Sequence, residues 1–341
     1  MTNLTIALDA MGGDNAPLSV LEGADLILAT YPNVSFLIYG NEDILLPMLN
    51  KLSRLKKSSK IIHTDKVIAA DEKPSSALRK GKDSSMSLAI EAVKEKRAAA
   101  VVSAGNTGAL MVTAKLALRT LPDIHRPAIA GLMPTIKNKV VMLDLGANAE
   151  CTAENLFQFA IMGDAFAKVI LDIETPSIGL LNIGSEDVKG NDIVRLASTM
   201  LRECQYPLNF IGYIEGNDIA EGTCDVVVCD GFSGNIALKT IEGTAKFCKE
   251  VMRSAYNSSI IAKIGYLLSS CAIKKATQKL DHRNYNGAMF LGLNGIVVKS
   301  HGSADALGFA NAIKIAVELA AHDINERIIK ELESSQKLAA E

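Results

Sequence analysis

Residues 4–17 read LTIALDAMGGDNAP. Leu4–Leu8 is an apolar run of the length and composition of a strand, and Asp9–Pro17 follows it without a spacer. A surface turn needs less than two glycines, two aspartates, an asparagine and a proline. The first strand therefore ends in a corner that could let backbone come close to something else. Such corners belong at the carboxyl ends of strands in open parallel sheets, where ligands bind and helices begin.

The rest of the chain repeats this grammar. Strands are expected at 4–9, 34–39, 99–103, 139–144, 177–182 and 225–230, with late strands at 288–292 and 295–299. Amphipathic helical stretches lie between them, such as 86–96, 107–119, 153–171 and 236–255. Strands rich in Val, Ile and Leu, separated by helices, predict an α/β fold with a mainly parallel sheet and helices on both faces. No linker, solenoid repeat or low-complexity segment interrupts it. The expectation is a single α/β domain over residues 1–335, with a helical hairpin at about 240–282 and a disordered tail at 336–341.

Five expected strand ends carry glycine beside Asn, Asp, Ser or Thr. Asp9, Gly12, Gly13 and Asp14 form the first corner, and Ser103, Gly105, Asn106, Thr107 and Gly108 the second. The third holds Asp144, Gly146 and Asn148. The fourth holds Asn182, Gly184, Glu186, Lys189 and Gly190, and the fifth Asp230, Gly231, Ser233, Gly234 and Asn235. One such corner is only a turn, because Gly and Asn tolerate positive φ. Five on one edge of a sheet, which is the expectation, point to an anion site, most simply for phosphate.

Familiar phosphate motifs are absent. A P-loop built on Lys239 and Thr240 would need glycine at 233 and 238, where the chain has Ser233 and Leu238. No GxGxxG follows the first strand, and no GxSxG elbow exists. His301 precedes a helix expected near Ser303, where it is either a cap or a proton-transfer group. With no evident nucleophile–base pair, a reaction here needs a substrate that is itself the nucleophile. Ionised inorganic phosphate meets that need.

Composition narrows the classes. The chain has 341 residues, 48% hydrophobic and 22% charged, with a net charge of −2. That balance is ordinary for a globular protein and is not that of a nucleic-acid binder. The six cysteines lack zinc or redox spacing and read as reduced thiols. The amino-terminal segment is not a signal peptide, and no apolar run reaches the roughly 18 residues of a membrane span. A cytoplasmic location is the expectation.

At this level of detail the sequence resembles the bacterial phosphate acyltransferases of the PlsX type. The likeness rests on DAMGGDNAP (9–17), EKPSSALRKGKDSSMSLAI (72–90), VVSAGNTGALM (101–111), RPAIA (126–130), DLGAN (144–148), NIGSEDVKGN (182–191), CDGFSGN (229–235) and GLNGIVVKSHGSAD (292–305). Ile296 and Asn286 depart from the proline and glycine common in the family. The resemblance implies a three-layer αβα fold akin to phosphotransacetylases and isopropylmalate dehydrogenases, a homodimer, and no metal or organic cofactor. It implies transfer of a fatty acyl group from acyl-carrier protein to inorganic phosphate, at the start of phospholipid synthesis. The acyl phosphate would pass to a membrane glycerol-3-phosphate acyltransferase.

On that reading Lys189 is the candidate for phosphate, since it brings positive charge to corners that otherwise hold only neutral and acidic side chains. Its plain alternative is a surface lysine packed on Glu186. Asn235 is the candidate for the oxyanion or phosphate, its alternative a helix N-cap. Asp9 and Asp14 orient neighbouring loops, because a carboxylate beside phosphate is repulsive. Gly12, Gly13, Ser103, Gly105, Asn106, Thr107, Asp144, Asn148, Asn182, Gly184, Glu186, Ser233, Gly234 and His301 complete the expected substrate-binding set, with no metal ligand among them. Three other classes are weighed. A decarboxylating dehydrogenase would need a DxxxD metal cluster, which is missing; a non-catalytic adaptor would show degenerate corners; a short-chain phosphotransacetylase would share the fold.

Residues 256–279 form an apolar helical stripe, with Ile260, Ile264, Leu267 and Cys271 in register and Ile261 and Leu268 beside them. Lys274, Lys275 and Lys279 follow. The stripe fits a hairpin in the dimer interface, a tip resting on an anionic membrane surface, or both. The same lysines with Arg253, or the run 51–60 with its five positive charges, would suit the acidic carrier protein. The alternative for 51–60 is a solvated helix end.

Overall fold

In the computed structural model, which describes residues 4–277 and 282–337, the first strand does hand over to a helix through the glycine corner. β1 (Leu4–Asp9), α1 (Leu18–Ile27), β2 (Val34–Gly40), α2 (Glu42–Leu49), α3 (Ser53–Lys57), β3 (Ser59–His63), α4 (Pro74–Lys80), α5 (Ser85–Lys94), β4 (Ala100–Ser103) and α6 (Thr107–Leu118) make the first half. The second half comprises β5 (Ala128–Pro134), β6 (Lys139–Leu143), α7 (Ala153–Ile170), β7 (Ser177–Leu181), α8 (Asp192–Glu203), β8 (Asn209–Ile214), α9 (Gly216–Glu221), β9 (Val226–Val228), α10 (Gly231–Asn257) and α11 (Ile260–Thr277). The chain then returns to the first half through β10 (Ala288–Leu291), β11 (Ile296–Lys299), α12 (Ala306–Ala321) and α13 (Ile324–Lys337).

The strands form one 11-stranded sheet in the order β3-β2-β1-β4-β11-β10-β5-β6-β9-β7-β8. It is mostly parallel. β10 runs antiparallel to both β11 and β5, and β5 runs antiparallel to β6. β5 joins the halves: residues 128–130 pair with β10 and residues 131–134 with β6.

Alternation along the central strands sorts side chains between two cores. Ile6, Leu8, Val102 and Val298 pack with α1, α7, α12 and α13. Ala7, Val101, Val297 and Val227 pack with α5 and α6, and Ala237, Leu238 and Ile241 of α10 lie against this second core. These strands are apolar at nearly every position because both faces are covered.

The reversal through β10, β5 and β6 corrects one expectation. The five glycine corners do not lie on one edge. Those after β1 and β4 sit on one edge, and those after β6, β7 and β9 on the other. The five neighbour steps from β4 to β9, at about 20–25° each, turn the strands by roughly a right angle, so opposed ends become crossed ones.

Three strands escaped the sequence reading: β3, β5 and β8. The basic run 51–60 divides into α3 and the start of β3. Its Leu55 is buried and its Arg54 pairs with Asp25 at 2.7 Å. The expected tail begins too early, since α13 reaches Lys337; residues 338–341 lie outside the described residues, as does Lys279.

Candidate active site

Parity along the strands decides where the polar strand-end residues point. Asp9 lies two residues beyond Ala7, Ser103 two beyond Val101 and Lys299 two beyond Val297, all members of the second core. All three therefore project to the face of α5, α6 and α10. Asp144, two beyond Met142 of that core, follows them, so the corners after β1, β4 and β6 share a face of the sheet rather than an edge.

On the first wall Asp9 is a tie. Its carboxylate, 1% exposed, accepts hydrogen bonds from Ser85 Oγ and Ser103 Oγ, both at 2.6 Å. Burial raises its pKa, against those two hydrogen bonds. Gly12 is packed so closely that a Cβ would stand 2.5 Å from Asp9 Oδ2 and 2.8 Å from the Gly105 nitrogen. Gly13 has φ +107°, and Asp14 N–H donates to Gly302 O at 2.8 Å, drawing the loop after β11 into the corner. Asn106 caps α6 through Ala109 N–H and donates to Ala70 O at 2.6 Å. Thr107 stands exposed at the first turn of α6. His301 N–H donates to Asn286 Oδ1 at 2.7 Å, and its ring lies 3.0 Å from Ser303 Oγ. The helix after His301 begins at Ala306, capped by Asp305.

On the second wall Asp144 plays the part of Asp9. It is fully buried and accepts from the backbone N–H groups of Ile129, Gly146, Ala147 and Asn148 and from Asn148 Nδ2. Burial raises its pKa and these donors oppose the rise. Asn148 Nδ2 also donates to Pro127 O. The first turn of α10 rests on this loop: a Cβ on Gly234 would stand 1.9 Å from Asp144 O, so only glycine fits. Asp230 caps α10, bonding the N–H and Oγ of Ser233. Asn235 is thus not the cap. It stands exposed on the first turn with its side chain over Gly146, 3.4–3.7 Å from where a Cβ would be, and among the described residues its amide has no hydrogen-bond partner.

β7 lies beside β9, so the loop 182–191 opens next to that turn. Asn182 Nδ2 folds this loop by donating to Gly184 O at 3.1 Å and Lys189 O at 3.3 Å. The Lys189 stem lies across Gly184, whose absent Cβ would fall 2.9 Å from Lys189 Cγ and 2.7 Å from Glu186 Oε2. Lys189 and Glu186 are exposed.

The geometry therefore divides the expected set. Ser103, Asn106, Asp144, Asn148 and Asn182, expected at the substrate, and Asp9, expected to orient neighbouring loops, spend their polar atoms on one another, on Ser85 and on backbone. They are loop ties, because a buried polar group must be satisfied internally. Lys189, Asn235 and Thr107 remain turned outward at the corners. Lys299 was missed. It ends β11, an otherwise apolar buried strand, and that lone charge was the available signal.

Cys151 and Cys229 lie near Asp144, and burial pushes the Cys151 thiol up to about 11 and Cys229 well above its ordinary value. A cavity of about 480 Å³ sits elsewhere, at the amino ends of β1, β4 and β11, and touches none of the corners.

A family model described as "Fatty acid synthesis protein" matches residues 4–327. The chain belongs to this family. A relative named Phosphate acyltransferase from Rhodospirillum centenum is 55% identical over 327 residues, covering 96% of this chain and 92% of its own. Another of that name, from Paramagnetospirillum magneticum, is 52% identical over 330 residues, covering 97% and 94%. Among solved structures, a phosphotransacetylase from Streptococcus pyogenes superposes with a TM-score of 0.63 at 20% identity over 94% of both chains. The EutD phosphotransacetylase from Staphylococcus aureus gives 0.58 at 18%, over 93% and 94%. The two structural likenesses carry the fold alone; the family rests on sequence.

Proposed function

We propose that this chain transfers a fatty acyl group from an acyl-carrier-protein thioester to inorganic phosphate, giving the acyl phosphate used in phospholipid synthesis. The observation that carries the reading is identity above half, over nearly the whole chain, to relatives named Phosphate acyltransferase. A phosphate oxygen attacks the thioester carbonyl carbon and the carbonyl π pair moves to oxygen. The tetrahedral intermediate then collapses, the C–S bond breaks, and the thiolate leaves with its electron pair. Lys189 attracts the phosphate and the Asn235 amide donates to the oxyanion or phosphate, each from a rigid backbone tie behind it.

In this reading the protein works as a homodimer in the cytoplasm. It docks acidic carrier protein on basic residues around Arg253 and at positions 274, 275 and 279. It touches anionic membrane through the α10–α11 pair and supplies a membrane glycerol-3-phosphate acyltransferase. The exposed apolar residues of α11 support the membrane contact: Ile261 is 83% and Leu268 84% exposed. Among the described residues no helix is long and apolar enough to span a bilayer.

The test mixes purified protein, palmitoyl-carrier protein and phosphate, and traps acyl phosphate with hydroxylamine. Phosphate-dependent hydroxamate is the expected result. None with any acyl donor defeats the reading, and product from acetyl-coenzyme A alone turns it into a short-chain phosphotransacetylase.

A further inference from the structure

Lys299 is held in an unusual way for a lysine. Its strand mates Val297 and Val298 are fully buried, and its Nζ donates to Ala104 O at 3.3 Å and to Ser300 O. An ammonium has three N–H directions, so one is left over. The loop behind it is locked by Asn286, a buried amide whose Nδ2 donates to Ser300 Oγ at 2.8 Å and Gly308 O at 2.7 Å. Asn286 Oδ1 takes the His301 N–H, so all three neighbours of the turn are fixed. Asn286 thus clamps the loop.

The charges facing Lys299 are Asp9 on β1, Asp14 in the first corner and Lys239 on α10. Among the described residues no carboxylate oxygen lies within 4 Å of its Nζ. The Asp9 carboxylate is already engaged by two serines. Burial lowers the Lys299 pKa to about 8, and Lys239 adds to the fall against the two aspartates. Lys239 is already paired with Glu242 Oε2 at 2.7 Å, whereas Lys299 has no contact counter-ion among the described residues. A largely buried cation of that kind is stabilised by an anion at its remaining N–H. Gly302, near the same Ala104 carbonyl, is loosely surrounded: only Ala104 O and Asp14 Oδ2, both at 3.9 Å, would come near a Cβ there.

We propose that Lys299 binds the attacking inorganic phosphate through its remaining N–H, with Lys239 on α10 adding positive potential from a distance. The assignment rests on the phosphate acyltransferase reading above and deepens it. The third N–H of Lys299 donates to a phosphate oxygen. Phosphate, being doubly negative, holds the lysine proton on, and binding near pH 8 takes up protons. Above that pH the amine is neutral in the empty site and affinity falls.

The experiment titrates inorganic phosphate into the full chain at pH 8, without acyl donor, by calorimetry in two buffers of different ionisation enthalpy. Binding with uptake of about half a proton is expected, since a group of pKa near pH is half protonated. Lys299→Met should remove the uptake and raise the KM for phosphate about 10- to 100-fold, the loss of one hydrogen bond to a charged group. The KM for the acyl donor should stay within about twofold. Lys299→Arg should recover phosphate affinity and flatten its pH dependence. Lys239→Ala, at an exposed position that folding tolerates, should weaken phosphate less and move the alkaline limb to higher pH, because a positive neighbour is gone.

No phosphate binding by the wild-type chain, an unchanged uptake in Lys299→Met, or a limb unmoved in Lys239→Ala overturns the proposal. So does a rise in the donor KM instead, which would assign the lysine to the phosphodiester of the carrier arm. Phosphate binding with uptake but no acyl phosphate product would leave the phosphate site standing and defeat the function.

Discussion

At the scale of single residues, the cleft separates groups that build it from groups that can act in it. Asp9 and Asp144 are the builders, one per wall: Asp9 takes donors from α5 and the second corner, and Asp144 from β5 and its own loop. For Asp9 the folded-state pKa lies above the unfolded one. Its stabilising contribution is therefore present below about pH 4 and is lost as pH rises through the raised value. Asp9→Asn should raise Tm at pH 7 by about 2 °C, with the gain shrinking toward pH 4, because the Ser85 and Ser103 hydroxyls can turn to meet an amide. A Tm several degrees lower at pH 7 would mean that the charge itself is needed. Lys189 is an actor. Lys189→Ala should cut turnover about 10²–10³-fold with an unchanged melting curve, since an exposed loop lysine adds little to stability. More than half of wild-type turnover at saturating phosphate would remove it from the mechanism.

At the scale of elements, α10 carries the most consequence. Its first turn presses on the Asp144 carbonyl through Gly234, while Ala237, Leu238 and Ile241 seat it on the sheet. Beyond that seat its surface turns outward: Phe247 is exposed, as are Ile260, Ile264 and Leu267 of α11. Tyr256 and Tyr266 hold the two helices together, with ring centroids 5.2 Å apart. An apolar surface of this kind marks a partner or a bilayer. On the proposed membrane contact and homodimer, Ile264→Glu combined with Leu267→Glu should lower co-sedimentation with anionic vesicles while soluble activity and dimer mass persist. Dissociation or aggregation of the double variant would instead make the stripe an interface core.

At the scale of the whole molecule, the carboxyl-terminal helix is fastened to the second half by a buried charge cluster. Lys168 on α7 pairs with Asp164 at 2.5 Å and with Glu331 of α13 at 3.2 Å, with all three side chains mostly buried. Burial raises the pKa of both carboxyls, opposed by Lys168. Lys168→Met leaves them without a counter-charge and should cost about 3 kcal/mol at pH 7. The deficit should narrow as pH falls through their raised pKa values, because protonation removes the repulsion. Denaturant melts at pH 7 and pH 5 measure both, and equal deficits would show that the carboxyls remain charged throughout.

The sequence by itself determined the α/β class, most strands of the sheet and the glycine corners, because buried parallel strands and strand-to-helix turns are written in local composition. It also determined the family, through motifs spread over nearly the whole chain. β3, β5 and β8 were not legible: SKIIH and NFIGYI are short strands at the two ends of the sheet, and AIAGLMP pairs only with segments distant in the chain or across a reversal. Only the tertiary structure decided that the corners occupy two edges, with those after β1, β4 and β6 on one face. That depends on the direction of three strands and on accumulated twist, and neither leaves a local mark. Tertiary structure alone also separated ties from outward groups. An aspartate beside a glycine reads the same whether its carboxylate meets solvent or two buried serines, and Lys299 became conspicuous only when Asp14, Lys239 and Asn286 converged around it from elsewhere in the chain.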